Sequence, residues 1–256
     1  MMPETLHDRR VVAWFSAGAT SAVAAKLAHK QYADIQEFHI VYCDPGSEHH
    51  DNRRFLRDVE EWIGWSIEIL KSDKYWDVWD VCTKRRYLSG IKGALCTTEL
   101  KKALRHKYQR VDDLQVFGFD ADESKRAEMF RGNNHEITLL TPLIDKGLTK
   151  PDCMALLIRE GLELPAMYRL GFPNANCVGC VKGGQAYWNH VREVFPEVFN
   201  KMARLERKLN VALNKTYAGD GQRKRVFLDE LSPYAGRGKL IVLPECGLLC
   251  KEVELA

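Results

Sequence analysis

The stretch RVVAWFSAGATSAVAAKLAHK, residues 10–30, decides the fold. Residues 10–15 (RVVAWF) form a short apolar run of the buried-strand type, and residues 16–21 (SAGATS) are all small. The alanine-rich AVAAKLAHK that follows favours a helix. The order is strand, tight small-residue loop, helix. Such a junction points backbone N–H groups outward at the positive end of a helix dipole, which suits a phosphate or sulfate. Ser16, Thr20 and Ser21 offer hydroxyls, and Gly18 lets a ligand approach the backbone. An ordinary strand-to-helix turn packed with small residues has the same pattern. A Walker loop is excluded, because the Gly-Lys-Ser/Thr ending is missing.

The alternation continues downstream. EFHIVYC (37–43) reads as a strand, DPGSEHHD (44–51) as a turn-rich loop and NRRFLRDVEEWIG (52–64) as a helix. SIEIL (66–70), DLQVFGF (113–119) and EITLLTPL (136–143) read as further strands. CTTELKKALRHKYQ (96–109) reads as a helix capped by Thr97 or Thr98. Strands alternating with helices predict an α/β fold, a Rossmann-like doubly wound sheet that is mostly parallel and covered on both faces. That pattern fills an expected α/β unit over residues 8–148. Residues 149–256 are expected to form a helical and irregular cysteine-bearing extension, with one long helix over about 184–214 and a basic turn, GDGQRKR (219–225).

The 256 residues are 45% apolar and 29% charged, ordinary for a globular chain with a sizeable core. The net charge of +3 leans weakly towards anionic partners and falls short of a dedicated nucleic-acid binder. No apolar run approaches the roughly 18 residues of a membrane span, and MMPETLHDRR lacks the apolar centre of a secretory signal. The expected compartment is the cytoplasm, where the eight cysteines stay mostly reduced and paired ones read as metal-binding or catalytic.

Cys177 and Cys180 form CVGC, which serves equally as half a zinc site, part of an iron–sulfur site or a redox pair. Near the end, LPECGLLC (243–250) places Cys246 and Cys250 four apart. Thiolates at 177, 180, 246 and 250 would satisfy a tetrahedral zinc or a cubane cluster. Cys43, Cys82 and Cys153 sit in apolar settings and read as packing residues. Lys92, Lys101, Lys102, Arg105 and Lys107 flank Cys96 and read by default as a solvated helix face. His49 and His50 read as exposed loop histidines, and DKYWDVWD (73–80) as a packed helix surface.

Several of these motifs together resemble a family. SAGATSAVAA is similar to the phosphate loop of the adenine-nucleotide alpha-hydrolase superfamily, and more narrowly to that of the phosphoadenylyl-sulfate (PAPS) and adenylyl-sulfate (APS) reductases. The superfamily's ATP pyrophosphatases carry an aspartate where Thr20 stands and a glycine where Ala17 stands. VYCDPGSEHHDNRRFL resembles the second-strand segment through Asp44 and Gly46. FGFDADESKRAEMF resembles G-x-R-x-x-E-S-x-R through Gly118, Glu123, Ser124 and Arg126, with Asp120 where the family has its first arginine. GALCTTELKKAL resembles the segment with two adjacent cysteines, Thr97 replacing the second. ECGL, residues 245–248, resembles the reductase ending E-C-G-[IL]-H without its histidine.

The resemblance implies an adenine nucleotide held by Ser16, Ala17, Gly18, Ala19, Thr20 and Ser21, with Asp44, Gly118, Glu123, Ser124 and Arg126. That nucleotide is an adenylyl sulfate, or ATP with magnesium. It implies a 4Fe–4S cluster on Cys96, Cys177 and Cys180, with Cys250 or Cys246 as a further ligand and zinc as the alternative metal. Cys246 would attack the sulfur, Cys250 would resolve the product, and a thioredoxin-like donor would supply electrons. Two other readings stay open. One is an ATP-dependent sulfurtransferase acting on a nucleic-acid base or other acceptor. The other is a non-catalytic, zinc-stapled module that binds nucleotide or nucleic acid.

Overall fold

The computed structural model describes residues 9–34, 36–90, 93–217 and 222–236. Five strands, β1 (Val11–Phe15), β2 (Phe38–Cys43), β3 (Ile67–Leu70), β4 (Leu114–Val116) and β5 (Thr138–Leu140), make one sheet ordered β3-β2-β1-β4-β5. Every pairing in it is parallel. Parallel neighbours need crossovers, and helices supply them: α1 (Ala19–Tyr32), α2 (Asn52–Ile63), α3 (Val78–Arg85), α4 (Leu95–Thr97), α5 (Ala103–Tyr108) and α6 (Ser124–Asn133). The strand order reverses between β1 and β4. In an open parallel sheet, that is where a crevice opens beyond the carboxyl ends of the strands. The expected Rossmann-like α/β architecture is therefore the observed one.

The two faces of the sheet are packed differently. Val11, Ala13 and Phe15 of β1 point into a core shared with α1. There Ala22, Ala24, Ala25 and Ala28 are almost wholly buried, and their small side chains let the helix lie close to the sheet. Beyond β5 come α7 (Pro142–Asp145) and α8 (Lys150–Arg159), and Cys153, Met154, Leu156 and Leu157 of α8 join this same core. On the opposite face Trp14 donates to Gln115 Oε1 at 3.0 Å and meets Tyr108 of α5 edge-on.

A second core gathers α3 and the start of the α4–α5 segment with the C-terminal helices α9 (Ala166–Arg169), α10 (Gln185–Val194) and α11 (Pro196–Leu209). A two-stranded antiparallel ribbon, β6 (Asn214–Tyr217) and β7 (Arg223–Val226), follows. The single helix expected over 184–214 is two helices, because Pro196 has no N–H to continue α10 and instead opens α11. The helix expected from Cys96 starts at Leu95, with Ala94 as its cap. Thr97 and Thr98 therefore lie inside it and do not cap it. The same segment passes through a π-turn at Thr98–Lys102. No helix among the described residues is long and apolar enough to cross a membrane.

At the amino end of the switch point, Arg10 and Asp113 clamp β1 to β4. Arg10 Nε and Nη2 reach the two carboxylate oxygens at 2.8 and 2.7 Å, and Nη2 also donates to Tyr108 O. Asp113 further accepts from Arg110 N at 2.8 Å. Both side chains are buried, so removing one strands the other as an unpaired charge. Asp113→Ala is expected to cost about 3–5 kcal/mol, read as a lower urea midpoint at unchanged m-value.

Candidate functional site

The loop after β1 is held by its own serine. Ser21 Oγ accepts from Ser16 N at 3.0 Å and donates to Gly18 O at 2.9 Å. Ala17 sits at φ 55°, in the left-handed region that favours glycine. A buried alanine there carries strain of about 1 kcal/mol, and the superfamily's glycine at this position is the relaxed choice. Ala17, Gly18, Ala19 and Ser21 are buried, Ser16 is exposed and Thr20 half-buried, so only the last two show side chains to the crevice. The helix of α1 begins here, and its first amides lack intrahelical acceptors.

The far wall of the crevice is Gly118. A Cβ on it would lie 2.8 Å from both Cα and N of Ser21 and 3.0 Å from the carbonyl carbon of Thr20. These are backbone atoms in a helix's first turn and have no room to yield. The sequence-predicted residues Glu123, Ser124 and Arg126 stand on the same edge. Ser124 Oγ donates to Ala121 O at 2.8 Å, while the exposed Arg126 pairs with Glu123 and overlies Phe119.

Asp120, where the family carries an arginine, is buried and accepts from Asp122 N at 3.0 Å. Burial first, and then Glu123, pushes its carboxyl above the usual range. Its nearest cation is Lys150 at the start of α8, whose amine burial depresses. Lys150 donates to Asn174 Oδ1 at 2.8 Å and to Pro173 O, and lies over the ring of Tyr168. The Tyr168 hydroxyl, in turn, accepts from Ala19 N at 3.4 Å. The sequence singles out neither Lys150 nor Tyr168, although both lie in the family-like segment that leads into CVGC.

At the end of β2, Asp44 Oδ1 accepts from Gly46 N at 2.8 Å and Oδ2 pairs with Lys71. Gly46 has φ 67°, and a Cβ there would lie 2.1 Å from Trp76 O. The loop then runs into the cysteine region. Ser47 O accepts from Val178 N at 2.9 Å, inside CVGC. Glu48 accepts from Tyr42, Asn52 and Lys101 at 2.7, 2.8 and 3.0 Å.

Cys177 and Cys180 lie near enough to Cys96 in this region for the thiols to act on one another electrostatically. Cys96 and Cys177 pack on the second core. Burial, followed by Cys180, raises the Cys96 thiol; burial, followed by Glu48, raises that of Cys177. Both are therefore protonated at neutral pH and must release protons to bind metal. Three thiols are the right donor type for a thiophilic metal or cluster. Their arrangement is less complete: among the described residues, no three Cys, His, Asp or Glu side chains close on a common point. Cys246 and Cys250, the expected nucleophile and further ligand, lie outside the described residues. Cys43, Cys82 and Cys153 are buried, as packing residues should be.

The organiser of the cysteine loop is Tyr187, which sequence reading missed. Its hydroxyl accepts from Gly179 N at 3.0 Å and Cys180 N at 2.9 Å and donates to Cys177 O at 3.1 Å. The glycines nearby make room: a Cβ on Gly183 would fall 2.0 Å from the Tyr187 ring. Two other expectations need correction. Lys101 and Arg105 are not a solvated face, since Lys101 turns in to Glu48 and Arg105 is buried. Trp76 is 87% exposed rather than packed, because its backbone, not its ring, fills the space beside Gly46.

The β1–β4 switch point and the cysteine region thus lie at opposite ends of the loop that follows β2. Residues 10–186 match the phosphoadenosine phosphosulfate reductase domain, and the chain belongs to that family. It is similar to an uncharacterised protein of Methanocaldococcus jannaschii, 25% identical over 73% of this chain and 45% of that protein. It is also similar to an uncharacterised nin region protein of Escherichia phage lambda, 27% identical over 66% of this chain and 64% of that protein. The chain thus spans less than two thirds of either relative. A U34-tRNA thiolase of Methanococcus maripaludis, solved with its 4Fe–4S cluster, aligns at a TM-score of 0.45 and 16% identity. That alignment covers 79% of this chain and 73% of the thiolase, a likeness too remote to carry function.

Tyr187→Phe removes one hydroxyl and leaves two amides and a carbonyl of the cysteine loop without their partner. The expected cost is about 2 kcal/mol, seen in thermal unfolding. Cys177 and Cys180 should also react faster with a thiol reagent under native conditions.

Proposed function

We propose that this chain performs adenine-nucleotide-dependent sulfur chemistry, with reductase-type cleavage of an adenylyl sulfate as the reaction. The observation that carries this is the loop after β2, which joins the crevice at Asp44 to the cysteine region at Ser47 and Glu48. Family membership over residues 10–186 supports it. In this reading residues 8–148 bind the nucleotide and 149–256 carry the cysteine chemistry. The loop from Ser16 to Ser21 takes a phosphate or sulfate on the amides that open α1. Asp44, Gly118, Glu123, Ser124 and Arg126 line the same edge of the sheet.

The Cys246 thiolate attacks the sulfur of the adenylyl sulfate. The S–O bond breaks, and AMP departs with the electron pair. A second thiol, from Cys250 or a thioredoxin-like donor, then attacks the Cys246 sulfur and releases sulfite. The two thiols end as a disulfide and so supply the two electrons. Cys96, Cys177 and Cys180 would hold an iron–sulfur cluster or zinc, with Cys250 as a further ligand. Such a centre would supply a thiophilic Lewis acid.

Asp120 favours a second reading, an ATP-dependent sulfurtransferase. A buried carboxylate in place of an arginine disfavours a sulfonate and suits magnesium bound to a triphosphate. Product analysis on anaerobically purified protein separates the two. Adenylyl sulfate with a dithiol reductant should yield sulfite and AMP, and Cys246→Ser should abolish the sulfite while nucleotide binding persists. Pyrophosphate release from ATP, with no sulfite from adenylyl sulfate, would instead establish the sulfurtransferase.

A further inference from the structure

Among the described residues, Arg105 has no partner that accounts for its burial. It sits on α5 and is 8% exposed. Its Nε is buried with no hydrogen-bond partner, and no ion pair joins its guanidinium to any described residue. The rings of Phe117 and Phe130, in contact with each other at 4.9 Å, lie on one side of it at 5.6 and 5.4 Å. Glu136 and Cys43 act on it only at a distance, and burial pushes its guanidinium below the usual value. An arginine stays charged even so.

These surroundings do not balance. Each ring contributes roughly 0.5–2 kcal/mol by cation–π attraction. Removing the charge from water costs several kcal/mol unless a counter-charge meets it. The other buried arginine described above, Arg10, has one in Asp113. An arginine packed against two rings with an unused donor is suited to an anion that arrives from outside.

Its position says which anion. Cys43 ends β2 and Phe117 follows β4, and these are the two strands that flank β1. Phe15 pairs in register with Tyr42, so Ser16 is level with Cys43. Arg105, packed on Phe117 after β4 and acted on by Cys43 at the end of β2, is thereby assigned to the carboxyl end of the sheet, near the level of Ser16. A group bound at the loop would meet helix amides and a guanidinium. The wall that carries Gly118 has lost its arginine to Asp120, and α5 restores a cation.

We propose that Arg105 is a substrate-binding residue that holds a phosphate or sulfate oxygen of the nucleotide at the β1–β4 crevice. This rests on the nucleotide reading of that crevice and adds to it a named anion contact. It predicts a reversal of the usual effect of losing a buried charged side chain. With no ligand present, Arg105→Met removes an unpaired buried charge and should leave the melting temperature unchanged or higher.

The test is calorimetric titration of the full chain, wild type against Arg105→Met and Arg105→Lys, with AMP, ATP and adenylyl sulfate, alongside ligand-free melting curves. Arg105→Met should weaken at least one of the three probes by about tenfold or more, the loss of about 1.4 kcal/mol or more. Arg105→Lys, which keeps the charge without the fork, should fall between. Equal loss on all three places the guanidinium on the α-phosphate. Loss confined to adenylyl sulfate places it on the sulfate, and loss confined to ATP places it on the outer phosphates. Unchanged binding of all probes by Arg105→Met overturns the proposal while leaving the nucleotide site standing. A lower melting temperature or failure to fold also overturns it, since the arginine would then be a structural element. A wild type that binds none of the three removes the nucleotide site and this contact together.

Discussion

The close approach of β4 to the first turn of α1 is the constraint on which this structure turns. At Gly118 the two backbones come within a distance that only hydrogen can occupy. This closeness requires small residues through the loop and along α1, and it brings the amides that open the helix beside the end of the neighbouring strand. The bond from Ser21 Oγ to Ser16 N holds the loop against that wall. The Arg10–Asp113 clamp fixes the same two strands at their other end. The crevice is therefore set by backbone contact, which leaves its side chains free to vary in chemistry.

Charge is distributed unevenly around that frame. In the cysteine region, the half-exposed Lys101 reaches in to the buried carboxylate of Glu48, to which Tyr42 and Asn52 also donate. In the crevice, Asp120 and Lys150 both bear a burial penalty, the acid raised and the amine lowered. Ionic groups in the first region satisfy one another, while those in the second are left partly unsatisfied.

Much of the architecture was legible in the sequence, for reasons tied to particular residues. The run at 11–15, the small loop and the alanine helix each carry a local signal, and local signals set the parallel α/β order. Gly118 and Gly46 were legible as motif positions, although the atoms that forbid a side chain there belong to distant segments. Tyr187, Lys150 and the inward turn of Lys101 were not legible. Each acts on a partner that the fold, not the spacing, brings near. Pro196 carried a clear local signal, and an apolar periodicity running through it hid the break between α10 and α11. The tail with Cys246 and Cys250 remains a matter of motif alone.

The π-turn at Thr98–Lys102 closes with Ala103 N on Thr98 O, five residues back. In an uninterrupted α-helix at about 100° per residue, Cys96 and Arg105 would point in roughly opposite directions. One absorbed residue shifts that angle to about 80°. The turn is thus a phase shifter on a single rod, and it sends a thiol and a guanidinium to adjoining quadrants. The same residues wound as an unbroken α-helix would turn the guanidinium about 100° further from the thiol. The winding of this helix, rather than its length alone, decides which of its side chains face the same way.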